Sequence, residues 1–134
     1  MLGALCFVGE ANEASACRCR EPMVGTAYRR AALVVLAETV AVRSRPEIQG
    51  QTVIVRVHNA WKEDSPEELT IVTGSDCAYM MKLGEKHLLF LSPAEGDSFT
   101  TGKCMGDRAA GDAKSSLSWL RRHGTVATIA GAPK

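Results

Sequence analysis

Aromatic residues are scarce, 5% of 134 positions, and the formal net charge is only +1. A nucleic-acid surface needs a basic patch, and single strands also need exposed rings for stacking, so no nucleic-acid partner is expected. No run of about 18 apolar residues occurs, which excludes a membrane-spanning helix. There are three histidines, His58, His87 and His123. The first two fall in expected strands, and the third falls at a helix end, where a cation suits the dipole. The glycines of "GDRAAGD" lack the Lys-Ser/Thr that completes a phosphate-binding loop. Glu63, Asp64, Glu67 and Glu68 crowd a connection rich in turn signals and read as a solvated acidic loop. The sequence therefore predicts no catalytic residue, no enzymatic activity and no cofactor.

Against these absences stand 46% hydrophobic and 23% charged residues, the balance of a single globular domain. Met1 to Gly9, "MLGALCFVG", is apolar and leads into a polar stretch ending Ala14-Ser15-Ala16, a small-residue tripeptide of the kind signal peptidases cut. A basic segment ahead of the apolar part is missing, and Glu10 and Glu13 precede the cut. The expectation is export to a secreted or extracytoplasmic location, with residues 1–16 as a signal-peptide remnant or disordered tail. Cleavage after Ala16 would make Cys17 the first residue. A lipid anchor at Cys17 is not expected, because Ala14 rather than leucine stands three positions before it.

Cleavage would also remove Cys6, reducing five cysteines to an even set: Cys17, Cys19, Cys77 and Cys104. Such a set in a small exported domain reads first as two disulfides, with three connectivities open. Cys-x-Cys neighbours pair only with strain, so both bridges should run from the N-terminal segment to distant points. A zinc site fits this spacing less well. Zinc sites usually draw on two close cysteine pairs, and here only the first pair is close.

Along the chain, Val24, Ala27, Tyr28 and Ala31 recur at helical spacing. Strands are expected over Ala32 to Val42, Thr52 to Trp61, Leu69 to Thr73 and residues 86–92, the last ended by Pro93. Residues 43–51 carry Pro46 and Gly50 and read as a turn. "AEGDSF" reads as another turn, and "GSDCAYMMKLGEK" as a cysteine-bearing excursion. Leu117, Trp119 and Leu120, followed by Arg121, Arg122, His123 and Gly124, signal a C-terminal helix. Short successive strands with little helix between them predict a mainly β fold, a five-stranded OB-fold-like Greek-key barrel with a short N-terminal and a C-terminal helix. Tyr28, Trp61 and Phe90 are expected in the core or at the barrel end. The domain is expected over 17–124, with 125–134 as a terminal strand that completes the barrel or begins a following segment.

The "CRC" start, "TAYRRAALVVLAETVAV", "VIVRVHNAWK", "GSDCAYMMKLGEKHLLFL" and Cys104 together resemble the netrin-like domain, best known from the tissue inhibitors of metalloproteinases. The resemblance runs from Cys17 to about His123. It implies bridges Cys17–Cys77 and Cys19–Cys104, and the family's third bridge has no counterpart here. It also implies a mechanism: the amine and carbonyl of an N-terminal Cys17 ligate the zinc of a target metalloproteinase, displacing its catalytic water. Ser75 and Asp76 would add contacts to the cleft, and the residue after Cys17 would enter the specificity pocket. That residue is usually small in the family and is Arg18 here. The resemblance implies protein binding through Cys17, Arg18, Cys19, Ser75 and Asp76. A non-inhibitory extracellular interaction module on the same barrel is the alternative.

Overall fold

The computed structural model describes residues 17–75 and 77–131. After the N-terminal segment comes helix α1 (Val24–Arg30), then strands β1 (Leu33–Arg45) and β2 (Gly50–Trp61). β3 (Ser65–Pro66), β4 (Glu68–Thr73), β5 (Lys86–Pro93), β6 (Phe99–Thr100) and β7 (Arg108–Ala109) follow. Helix α2 (Lys114–His123) and two short strands, β8 (Val126–Ala127) and β9 (Ile129–Ala130), end the described chain. The hydrogen-bonded order β1-β2-β4-β6-β5 closes through a β5–β1 pairing, giving a five-stranded barrel. β4 and β6 run parallel and the other barrel neighbours antiparallel, the arrangement of an OB-type barrel.

The apolar runs "LVVLA" and "LLFL" are continuous because both faces of β1 and β5 are covered. Leu33, Val35 and Ala37 of β1, with Leu89 and Leu91 of β5, point into the barrel against Val53, Val55, Val57, Leu69 and Ile71. The alternate residues Val34 and Leu36, with Leu88 and Phe90, face outward and are covered by Ala27 and Tyr28 of α1 and by Leu117, Trp119 and Leu120 of α2. β2 has only one covered face over most of its length. Its outward Arg56 and His58 are exposed, and its sequence alternates accordingly. Register shifts at Leu36/Ala37 and Thr39/Ala41 let the long β1 bend enough to pair with β2 on one side and β5 on the other.

The structure departs from the sequence reading in three places. β1 continues through Arg45 and β2 restarts at Gly50, shrinking the expected turn to a 3-10 turn at Pro46–Ile48 and Gln49. Arg43 and Ser44 pair with Thr52 and Gln51, past the last β1–β5 pair at Glu38, while Thr52 and Gln51 also pair with β4. Residues 41–44 of β1 are exposed, so Arg43 and Ser44 carry no apolar pattern. The fifth barrel strand is β6, inside and after the segment read as a turn. The terminal segment does not close the barrel. β8 pairs with β2 at Ala60 and Trp61, and β9 runs parallel to β3. Asp64 fastens this segment, accepting from the Thr128 N–H and hydroxyl at 2.9 and 2.7 Å, and those bonds hold its carboxyl below the usual range.

Two further residues set the barrel's ends. A side chain on Gly50 would overlap the Thr73 carbonyl, so β2 approaches β4 too closely there for any Cβ. Lys62, in the left-handed region at φ 82°, sends its Nζ to the carbonyls of Tyr28, Arg29 and Ala31. These are the open carbonyls at the end of α1, so one cation joins the helix to the end of β2.

Candidate functional site

The chain before α1 lies across one end of the barrel, where two loops rise to meet it. Cys17 is joined to Cys77 in the β4–β5 loop, and Cys19 to Cys104 in the β6–β7 loop, with Cα separations of 5.0 and 5.8 Å. The two pairs touch: Cys17 Sγ lies 3.9 Å from Cys104 Sγ. The sulfurs of Cys17, Cys77 and Cys104 lie within 4.8 Å of one another. Arg18, between two tethered neighbours, is exposed, as is Arg20. Glu21 forms an ion pair with Arg108 of β7 at 3.2 Å, continuing the strap toward α1.

The β4–β5 loop is positioned without its cysteine. Ser75, at φ 74°, donates its N–H to the Ile48 carbonyl at 2.8 Å, tying the loop to the β1–β2 turn. Gln51 holds the loop's far side in both directions: its amide donates to the Met81 carbonyl and its oxygen accepts from the Met81 N–H, each at 2.8 Å. Tyr79 lies 2.7 Å from His87 Nδ1, and His87 Nε2 lies 3.2 Å from Glu85. Burial pulls the His87 pKa down, against the pull of Glu85, and so favours the neutral ring. A neutral imidazole facing a carboxylate through Nε2 carries its proton there, so Nδ1 accepts from the Tyr79 hydroxyl. Burial, reinforced by Asp107 and Glu85, raises the Tyr79 pKa and keeps its phenol a donor.

The β6–β7 loop has its own internal support. Asp107 is buried and accepts from the Phe90 N–H at 2.8 Å and from the Thr101 hydroxyl. Desolvation pushes its pKa up to about 7, although both hydrogen bonds pull the other way. The Lys103 N–H donates to the Cys77 carbonyl at 2.8 Å, joining the two anchor loops directly. Between them opens a groove of about 310 Å³, lined by Ser75, Cys77, Thr101, Gly102, Cys104 and Met105. Met80 and Leu83 stand exposed on the β4–β5 loop.

Of the residues the sequence pointed to, Cys17, Cys19, Cys77, Cys104, Arg18 and Ser75 share this end of the barrel, and Asp76 lies outside the described residues. The histidines are distributed differently. His58 on β2 lies 3.3 Å from Glu38, His87 is buried with its two partners, and His123 packs against Trp119 at the end of α2. Glu63, Glu67 and Glu68 are exposed. Gln51 and Asp107 were missed by sequence reasoning. Their only signal is a polar residue beside apolar strands, and their partners lie 30 and 17 positions away. Neither protein-family models nor curated proteins match this chain.

Proposed function

We propose that this protein is a secreted netrin-like inhibitor of zinc metalloendopeptidases, acting through the main chain of Cys17 as its first residue. The observation that carries this reading is the tethering of Cys17: bonded to Cys77, in contact with the Cys104 sulfur, and followed one residue later by a second anchor. An amine and a carbonyl on the same residue form a chelating pair. Placed on a catalytic zinc, they occupy the open position that otherwise activates water. A segment already held rigid loses little conformational entropy on docking. The groove beside Ser75 and the exposed Met80 and Leu83 give a partner's cleft further surface to cover.

Arg18 favours a second reading, a non-inhibitory extracellular interaction module on the same stapled barrel. A guanidinium entering an apolar pocket beside the zinc would lose its hydration without gaining a partner. One experiment separates the two readings: prepare the chain starting at Cys17, and again with one alanine ahead of it, and assay both against a panel of zinc metalloproteinases. Inhibition by the first form, lost on addition of the alanine, is the expected result. Equal inhibition by both forms, or by neither, rejects zinc chelation and leaves the interaction module.

A further inference from the structure

We infer that the four anchor cysteines, in their thiol form, make a tetrahedral thiolate site for a soft divalent cation of the zinc class. This inference is independent of the inhibitor reading. Zinc–sulfur bonds of about 2.3 Å at tetrahedral angles place neighbouring sulfurs roughly 3.8 Å apart. Cys17 Sγ and Cys104 Sγ, which are not bonded to each other, already lie 3.9 Å apart. Cys77 Sγ lies within 4.8 Å of both; Cys19, bonded to Cys104, is not one of this cluster of three, and its side chain must turn toward it once that bond is open. The second close pair that marks zinc sites in sequences is absent, yet the fold brings three of the sulfurs together.

Two features keep the loops that carry Cys77 and Cys104 in place without the bridges, and the Glu21–Arg108 ion pair leaves the strap that carries Cys17 and Cys19 a tie beside them. Ser75 to Ile48, Gln51 to Met81, Lys103 to Cys77 and Asp107 to Phe90 hold both anchor loops in place by hydrogen bonds that involve no sulfur. The barrel and its two apolar clusters contain no cysteine. Cys17, Cys77 and Cys104 are half-buried beside an open groove, which shields an ion while leaving it a path of entry. A divalent ion with four thiolates carries a net charge of −2, and Arg18, Arg20 and Lys103, adjacent in the chain to its ligands, are all exposed cations.

The binding step is a proton exchange: four thiols each release a proton and the cation takes four thiolates, with no change of oxidation state. Formation of the two bridges would expel the ion. Each bridge requires an external disulfide, of the kind carried by thiol–disulfide oxidoreductases, which is reduced to a dithiol as the bridge forms. The ion therefore secures the strap before oxidation, and the bridges secure it afterwards.

The test uses the full chain carrying Cys6→Ser, reduced with a water-soluble phosphine, freed of it without oxygen and titrated with Co²⁺. The expected result is one ion per chain with the intense visible absorption of tetrahedral thiolate-bound cobalt, displaced by Zn²⁺ and absent from the unreduced protein. Cys77→Ser and Cys104→Ser should each weaken binding at least about tenfold, the smaller loss typical of removing even an outer-sphere partner. Absence of the tetrahedral spectrum overturns the proposal, as does equal affinity in either serine variant or in concentrated urea. Should a variant fail to fold, alkylation of the unsubstituted thiols decides: Zn²⁺ must protect all four, and protection of Cys17 and Cys19 alone rejects the site.

Discussion

The barrel interior and the cysteine-bearing rim are built on different physics. The interior is apolar side chains from five strands closed around one another, with Val35, Val53, Val55, Ile71, Leu89 and Leu91 fully shielded. Its stabilisation is spread over many small contributions that scale with the area removed from water. The rim has little apolar area. It is held by two covalent tethers and a few polar bonds: Gln51 on Met81, Tyr79 on His87, and Asp107 on Phe90 and Thr101. The interior tolerates conservative change and fails gradually, whereas the rim depends on single groups whose loss leaves a partner unsatisfied. The second arrangement fixes backbone geometry while leaving side chains such as Arg18 exposed.

The largest expected effect on this contrast comes from removing one tether. Replacing Cys19 and Cys104 together by serine opens a closure across 85 positions and lowers global stability by about 4.5 kcal/mol in the chain-entropy account. Hydrogen exchange should show lost protection concentrated in residues 17–23 and 101–107, with β1, β2 and β5 still the slowest to exchange. Preferential loss in β1 and β2 would mean that the rim supports the barrel and that the two regions are not separately stabilised.

A slightly smaller effect concerns Asp107. Desolvation in the folded protein lifts its pKa to about 7, well above the ordinary value for an aspartate, so the folded state binds the extra proton. Stability from this group is fully present below pH 4 and is lost as pH rises through 7, by up to about 4 kcal/mol for a shift of roughly three units. Urea denaturation at pH 4 and pH 8 should show the unsubstituted chain losing stability relative to Asp107→Asn over that interval. A constant difference between the two chains would show that Asp107 is ionised throughout.

The third effect lies in the interior. Leu89→Ala empties space inside the barrel and should cost about 3 kcal/mol, near the middle of the range for buried leucine. Protection should fall evenly over all the barrel strands, and the Cys17–Cys77 and Cys19–Cys104 pairs should remain intact on peptide mapping. Losses confined to β5 would show that the strands unfold separately and that the closed barrel is not one cooperative unit.

How legible each region was in the sequence follows from the same division. β1, β2, β4 and β5 could be read from period and composition because each buries at least one face along most of its length. Arg43 to Arg45 could not, since this end of β1 has run past its pairing with β5 and is largely exposed, which places little demand on residue type. Phe99–Thr100 was missed because two residues are too short to show alternation, and its role comes from lying between β4 and β5. In the site, the four cysteines stood out by parity and spacing. The clamps did not, because nothing near Gln51 or Asp107 in the chain announces Met81 or Phe90.

By itself the sequence determined what short-range chemistry governs: where helices and strands form, which faces are apolar, and that four cysteines form an even set behind a small-residue tripeptide. The tertiary structure alone decided that β5 returns to β1, that a two-residue strand closes the barrel, and that sulfurs 60 and 85 positions apart in their pairs meet in one cluster. Periodicity and propensity act over a few residues. Barrel closure instead requires strands far apart in the chain to satisfy each other's backbone hydrogen bonds at once, and no local pattern records which partner each will find.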